Sequence, residues 1–200
     1  MHRRAPASGG IFLEALLVST GVVAIAEIGD KTQLLAMVLA ARFRRPVPII
    51  LGIFVATLLN HAVAAGVGYY IAQWLSGRLF QVVVGLAFMG MAGWALIPDK
   101  EDEDAAAKSH GGVFLTTLVA FFLVEIGDKT QIATSLLAAR FHQLVWVTAG
   151  TTLGMMLANV PAVLLGEAAT KVISLKLVRI IAASIFGLIG LSVVVAALLR

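Results

Sequence analysis

The sequence predicts an all-α integral membrane protein: six transmembrane helices arranged as two inverted three-helix repeats. Three observations carry this. The 200-residue chain is 60% hydrophobic and 13% charged, whereas soluble domains run near about 45–50% apolar and about 25% charged. Six apolar stretches match the roughly 20 residues that a bilayer core requires of a helix. One motif occurs twice, 98 residues apart.

The composition also excludes functions. A soluble domain of this length must cover its surface with polar groups, and a mean hydropathy of +0.98 leaves too few. Disorder and a typical cytosolic enzyme are therefore ruled out. There is no cysteine, which removes disulfides, thiolate metal sites and thiol catalysis. The net charge is +4, from 15 Lys+Arg and 11 Asp+Glu. With most of the chain in lipid, the excess reads as loop charge meeting anionic headgroups, not as a nucleic-acid footprint.

The first span runs from about Ile11 to Ala41, the second from Val47 to Gln73, and the third from Leu79 to Ile97. The fourth runs from about Val113 to Ala139, the fifth from Leu144 to Leu165, and the sixth from about Val172 to Leu199. Breakers agree: Arg42 to Pro46 after the first, Ser76-Gly77-Arg78 after the second, Gly166-Glu167 after the fifth. Residues 1–97 form the first repeat, 98–112 a linker and 113–200 the second repeat. The linker carries Asp99, Glu101, Asp102, Glu103 and Asp104; it reads as a solvated acidic loop. Arg3 and Arg4 ahead of an apolar run, with Ala24-Ile25-Ala26 downstream, resemble a signal peptide. The same surroundings recur deep in the chain, where no signal peptidase acts, so the first segment reads as retained.

Even-numbered connections share a side with the termini. That side carries Arg3, Arg4, Arg78, Arg140 and Arg200; the other carries Arg42, Arg44, Arg45, Lys100, Lys108, Lys171, Lys176 and Arg179. Eight against five puts the linker in the cytoplasm and both termini outside.

Glu27-Ile28-Gly29-Asp30-Lys31-Thr32-Gln33 recurs as Glu125-Ile126-Gly127-Asp128-Lys129-Thr130-Gln131. From Glu27 to Phe43, 12 of 17 positions are identical in the second copy, and Gly52 aligns with Gly150. This is an internal duplication. Three spans per repeat is an odd number, so the second copy enters the membrane upside down. That is a transporter architecture, with its site at the repeat interface near the midplane.

Both motifs fall near the middle of their spans. The first and fourth spans are long, so each is tilted, kinked or broken, and Gly29 allows a break. Ionisable groups at mid-membrane are expensive and usually face a polar pathway. On a helix Glu27, Asp30 and Lys31 share one face. Gly29 and Gly127 keep the neighbourhood open, and Thr32, Gln33, Thr130 and Gln131 add neutral oxygens. Hard oxygens suit Mg²⁺, Ca²⁺ or Mn²⁺. Each motif carries two carboxylates and one lysine, and two such motifs together carry −2, which one divalent cation neutralises. Metal and protons then compete for the same oxygens. The bland alternative, a Glu–Lys pair stapling each helix, explains one copy better than two. Asn60, His61 and Asn159 would either complete a coordination shell or hydrogen-bond between helices. Trp74, Trp94 and Trp146 read as interface anchors, and Glu14 lies near a span end. No nucleotide-binding loop, Ser/His/Asp set or metalloprotease motif occurs. The chain is expected to be no enzyme and to need no cofactor.

The duplicated E-x-G-D-[KR]-[ST] resembles the signature of the Golgi calcium/manganese transporter family, whose bacterial members include manganese exporters. That family is similar to the wider lysine-exporter superfamily. The resemblance covers essentially the whole chain. It implies Mn²⁺ and Ca²⁺ transport by exchange with protons, a cytosolic acidic loop, and metal binding by Glu27, Asp30, Glu125 and Asp128. Eukaryotic members carry an extra N-terminal segment, so a bacterial plasma membrane location is expected. The repeat further predicts that the two half-sites are equivalent. The competing reading is an exporter of a small cationic organic solute such as a basic amino acid, with Lys31 or Lys129 holding its carboxylate.

Overall fold

A computed structural model describes residues 8–75, 77–97, 111–166 and 174–199. The acidic residues of the linker and the terminal arginines Arg3, Arg4 and Arg200 lie outside these. The described residues are helical throughout their regular structure. The helices are α1 (Ser8–Glu27), α2 (Lys31–Phe43), α3 (Pro46–Trp74), α4 (Arg78–Ala95), α5 (Val113–Glu125), α6 (Lys129–Phe141), α7 (Leu144–Leu165) and α8 (Leu175–Leu198).

Four predicted spans correspond to single helices: α3, α4, α7 and α8. The first and fourth do not. Each is two helices separated by a three-residue break, at Ile28-Gly29-Asp30 and at Ile126-Gly127-Asp128. Five helices (α1, α3, α4, α7 and α8) are long and apolar enough to cross a membrane, and α5 is a shorter apolar helix. The fourth expected span is thus divided so that neither α5 nor α6, at 13 residues each, reaches across alone.

The breaks have a local cause. Gly29 has φ 77° and Gly127 φ 74°, a left-handed conformation that glycine adopts without a Cβ penalty. The turn closes when the Asp30 amide donates to the Glu27 carbonyl at 3.0 Å and the Asp128 amide to Glu125 at 3.1 Å. Gln33 Oε1 accepts from the Gly29 amide at 2.8 Å, and Gln131 Oε1 from Gly127 at 2.7 Å. Asp30 and Asp128 occupy the N-cap positions of α2 and α6 in extended conformation. Neither makes a side-chain cap hydrogen bond. Glutamine satisfies the backbone, which leaves both aspartates aimed elsewhere. The second half-helices end alike too: Arg44 (φ 52°) and His142 (φ 54°) are left-handed C-caps donating to Ala40 and Ala138.

Packing follows the duplication. α1 lies on α7 as α5 lies on α3; α2 meets α7 as α6 meets α3; α3 meets α7, and α4 meets α8. A Cβ on Gly52 would stand 2.8 Å from Thr117 Cβ, and one on Gly150 would stand 2.9 Å from Ser19 Cβ. Thr117 and Ser19 are themselves related by the repeat offset. Glycine at these positions lets backbones approach closely, which is how helices associate where lipid removes the hydrophobic drive.

The exterior is apolar: Leu17, Val63, Leu123 and Leu188 are all more than half exposed. The interior holds Glu27, Asp30, Asn60, His61, Glu125, Asp128 and Asn159. Buried polar groups inside an apolar shell invert the usual soluble pattern and suit a chain solvated by lipid. Trp74 is exposed at the end of α3, and Trp146 stacks on Phe12 at 5.8 Å between centroids.

Candidate cation site

The broken helices bring three carboxylates together. Glu27 ends α1, Asp30 opens α2, and Asp128 opens α6. Ligand oxygens of Glu27, Asp30 and Asp128 all lie within 4.8 Å of one another, and all three residues are buried. The α2 and α6 N-termini, with their partial positive charge and unsatisfied amides, face this acidic centre. Lys31 Nζ pairs with Asp128 Oδ1 at 3.2 Å, so the first motif reaches across to the second. Three carboxylates and one lysine carry −2. Across a Ca²⁺ or similar ion, opposite ligand oxygens stand about 4.6–5.2 Å apart. The cluster therefore has the size and charge for one divalent cation.

The surrounding polar groups are specific. Thr32 Oγ1 donates to Glu27 Oε2, while Glu27 Oε1 is buried with no hydrogen-bond partner among the described residues. Thr130 Oγ1 donates to Asp128 Oδ2 at 3.4 Å. Gln33 Nε2 donates to the Ala158 carbonyl at 3.0 Å, tying α2 to α7. A cavity of about 30 Å³ lies beside Asp30, walled by Gly29, Lys129, Arg179 and Phe186 among others.

The expected equivalence of the half-sites does not hold in detail. Glu125 is fully buried, but its carboxylate accepts from Thr57 Oγ1 at 2.7 Å and from Asn60 Nδ2 at 3.1 Å. It is not among the converging oxygens. The lysines differ as well. Lys129 Nζ donates to the Ile97 carbonyl at 2.9 Å and lies 6.0 Å from the Trp94 ring. Asn60 thus enters the site through Glu125, whereas Asn159 bonds its own helix, at Met155 O (3.1 Å) and Met155 Sδ (2.9 Å). His61 is buried, and neither ring nitrogen has a partner among the described residues. Thr57 carries no signal in the sequence, because a threonine inside an apolar helix ordinarily bonds its own backbone. Glu14 is exposed and, with Arg140 and His142, lines a separate cavity of about 620 Å³ where α1 begins.

Comparison with known proteins identifies the family. A family model described as "Divalent cation/proton antiporter GDT1" matches residues 15–103 and 113–200, two ranges whose starts are separated by the repeat offset. The chain is 50% identical over 181 residues, 90% of each chain, to a "Putative manganese exporter" of Vibrio cholerae. It is 28% identical to "GDT1-like protein sll0615" of Synechocystis, covering 88% of this chain and 94% of that one. It is 26% identical to "GDT1-like protein 3" of Oryza sativa subsp. indica, covering 92% and 74%. No solved structure matches. A chain matched over both halves, with acidic motifs meeting in its buried centre, belongs to the GDT1 family of divalent cation/proton antiporters.

Proposed function

We propose that this protein exports Mn²⁺, and accepts Ca²⁺, from the cytoplasm in exchange for protons, through a site built on Glu27, Asp30 and Asp128. The observation that carries this is the convergence of buried carboxylates from both halves on a space of one-ion size. The relative named as a manganese exporter supports Mn²⁺ over other cations. The tight spacing favours a bare ion over an organic cation.

Charge balance sets the exchange. Glu27, Asp30, Asp128 and Lys31 together carry −2, so one divalent ion neutralises the site. When the ion leaves, two protons on the same oxygens restore neutrality. A loaded and a protonated site are then alike in charge, and both can face either side at similar electrostatic cost. Six crossings, with α1–α2 and α5–α6 as broken spans, form two inverted repeats over residues 1–97 and 113–200 joined by the linker 98–112. The exchange of packing partners between halves supports this. The linker lies in the cytoplasm and the termini outside, in a bacterial inner membrane.

The test is uptake of Mn²⁺ and Ca²⁺ into proteoliposomes with internal pH recorded. Metal movement should drive opposite proton movement, and apparent affinity should fall as pH falls, because protons occupy the ligand oxygens. Metal uptake without proton movement, or an affinity independent of pH, refutes the exchange.

A further inference from the structure

The duplication invites treatment of Glu27 and Glu125 as interchangeable, but their surroundings are not. In the first half α3 runs beside α5, with Gly52 against Phe114 and Thr117. Two turns on, Asn60 donates to the Phe122 carbonyl and to Glu125. In the second half α7 runs beside α1, with Gly150 against Leu16 and Ser19, and Gly154 against Thr20, Val23 and Ala24. One further turn along α7 is Ala158, whose carbonyl accepts from Gln33 of α2 at 3.0 Å. By the 98-residue offset Ala158 stands where Asn60 does, and Met155 where Thr57 does. The two side chains that secure Glu125 are thus replaced, at the positions the repeat matches to them, by groups that donate no hydrogen bond, and Glu27 keeps a side-chain bond to one oxygen, from Thr32 to Oε2. This matches the finding that Glu27 Oε1 is buried and unpartnered.

We infer that the motif works as two unequal halves: Glu27 is a direct cation ligand left open by Ala158, whereas Glu125 is a positioning residue fastened to α3 by Thr57 and Asn60. This rests on the cation-site reading above. A cation drawing Glu125 into the cluster would strand the Thr57 hydroxyl in the interior and leave Asn60 only its bond to the Phe122 carbonyl, which is costly. Held where it is, Glu125 fixes the last turn of α5, and its carbonyl accepts from the Asp128 amide at 3.1 Å. Anchoring Glu125 thereby places Asp128, which is a ligand.

The test measures Mn²⁺ binding to the purified protein by loss of the free-ion EPR signal, with proteoliposome transport alongside. Glu27→Gln should weaken binding about 10–150-fold, the loss of one charge-assisted contact. Glu125→Gln keeps an acceptor for Thr57 and forfeits only the contact from Asn60, which still donates to the Phe122 carbonyl, so binding should stay within about threefold of the unmodified protein. Glu125→Ala removes the anchor and should bind about tenfold more weakly, so that glutamine rescues what alanine loses. Ala158→Asn supplies an amide donor at the position the repeat matches to Asn60 and should weaken Mn²⁺ binding about tenfold. Equal losses in Glu27→Gln and Glu125→Gln, or a larger loss in Glu125→Gln, overturn the inequality while leaving the site intact. No loss in either refutes the cation site itself. Should Glu125→Gln fail to fold, Ala158→Asn decides, and unchanged binding there overturns the inference.

Discussion

Asp128→Asn is the perturbation whose size follows most directly from the geometry. Asn keeps the volume and is as good an N-cap as Asp, so the start of α6 should survive. What changes is charge. The site falls from −2 to −1, counting Glu27, Asp30 and Lys31 alone. One charge-assisted contact to the ion is lost, worth about 1.5–3 kcal/mol, or about 10–150-fold in affinity. A second effect follows from the 3.2 Å pair: Lys31 loses the Asp128 carboxylate and keeps its charge beside the site. Breaking a fully buried pair costs about 3–5 kcal/mol; the Lys31 side chain is 19% exposed, so water relieves part of that. The Lys31→Gln change should be milder alone, and combined with Asp128→Asn it should recover part of the loss, because −2 is restored. Contacting residues couple by about 0.5–3 kcal/mol, and the expected sign here is compensating. The assay is the apparent KM and maximal rate of Mn²⁺ uptake for wild type, both single variants and the double. Wild-type affinity in Asp128→Asn, or strict additivity in the double variant, would refute the pairing.

Three further outcomes are expected. Gly127→Ala should lower the melting temperature in detergent by the strain of a positive φ, about 1–3 kcal/mol, and Gly29→Ala should cost more because its Cβ also meets Leu175; equal shifts would count against this. Gly68→Ala forces a Cβ into the Ser135 backbone where α3 crosses α6, whereas Gly66→Ala meets nothing within 4 Å, so only the first should destabilise measurably. Cysteines placed at Ser8 and Ser109 and labelled from outside intact cells should react at 8 and not at 109; the reverse pattern inverts the proposed topology.

Much of this protein is legible in its sequence. Apolar composition makes lipid the solvent, and lipid requires every backbone group to be paired within the chain, so helices follow from hydropathy alone. The ends of α3, α4 and α7 lie within about two residues of the expected spans for that reason. The paired Glu-x-Gly-Asp motif marks the acidic residues because charge at mid-membrane is too costly to be incidental. Whether α1–α2 bends or breaks depended on Gly29 taking a left-handed φ, a backbone choice that composition permits without requiring. The pairing of Lys31 with Asp128, 97 residues away, is fixed by how α2 and α6 meet. Above all, the sequence presents two motifs of the same residues, and only packing distinguishes them. Glu125 meets Thr57 and Asn60 on α3; the α7 positions that the repeat matches to these are Met155 and Ala158, and Glu27 is bonded by Thr32 instead. A motif records which chemical groups are present, but which of them are satisfied is decided by the side chains that another helix brings against them.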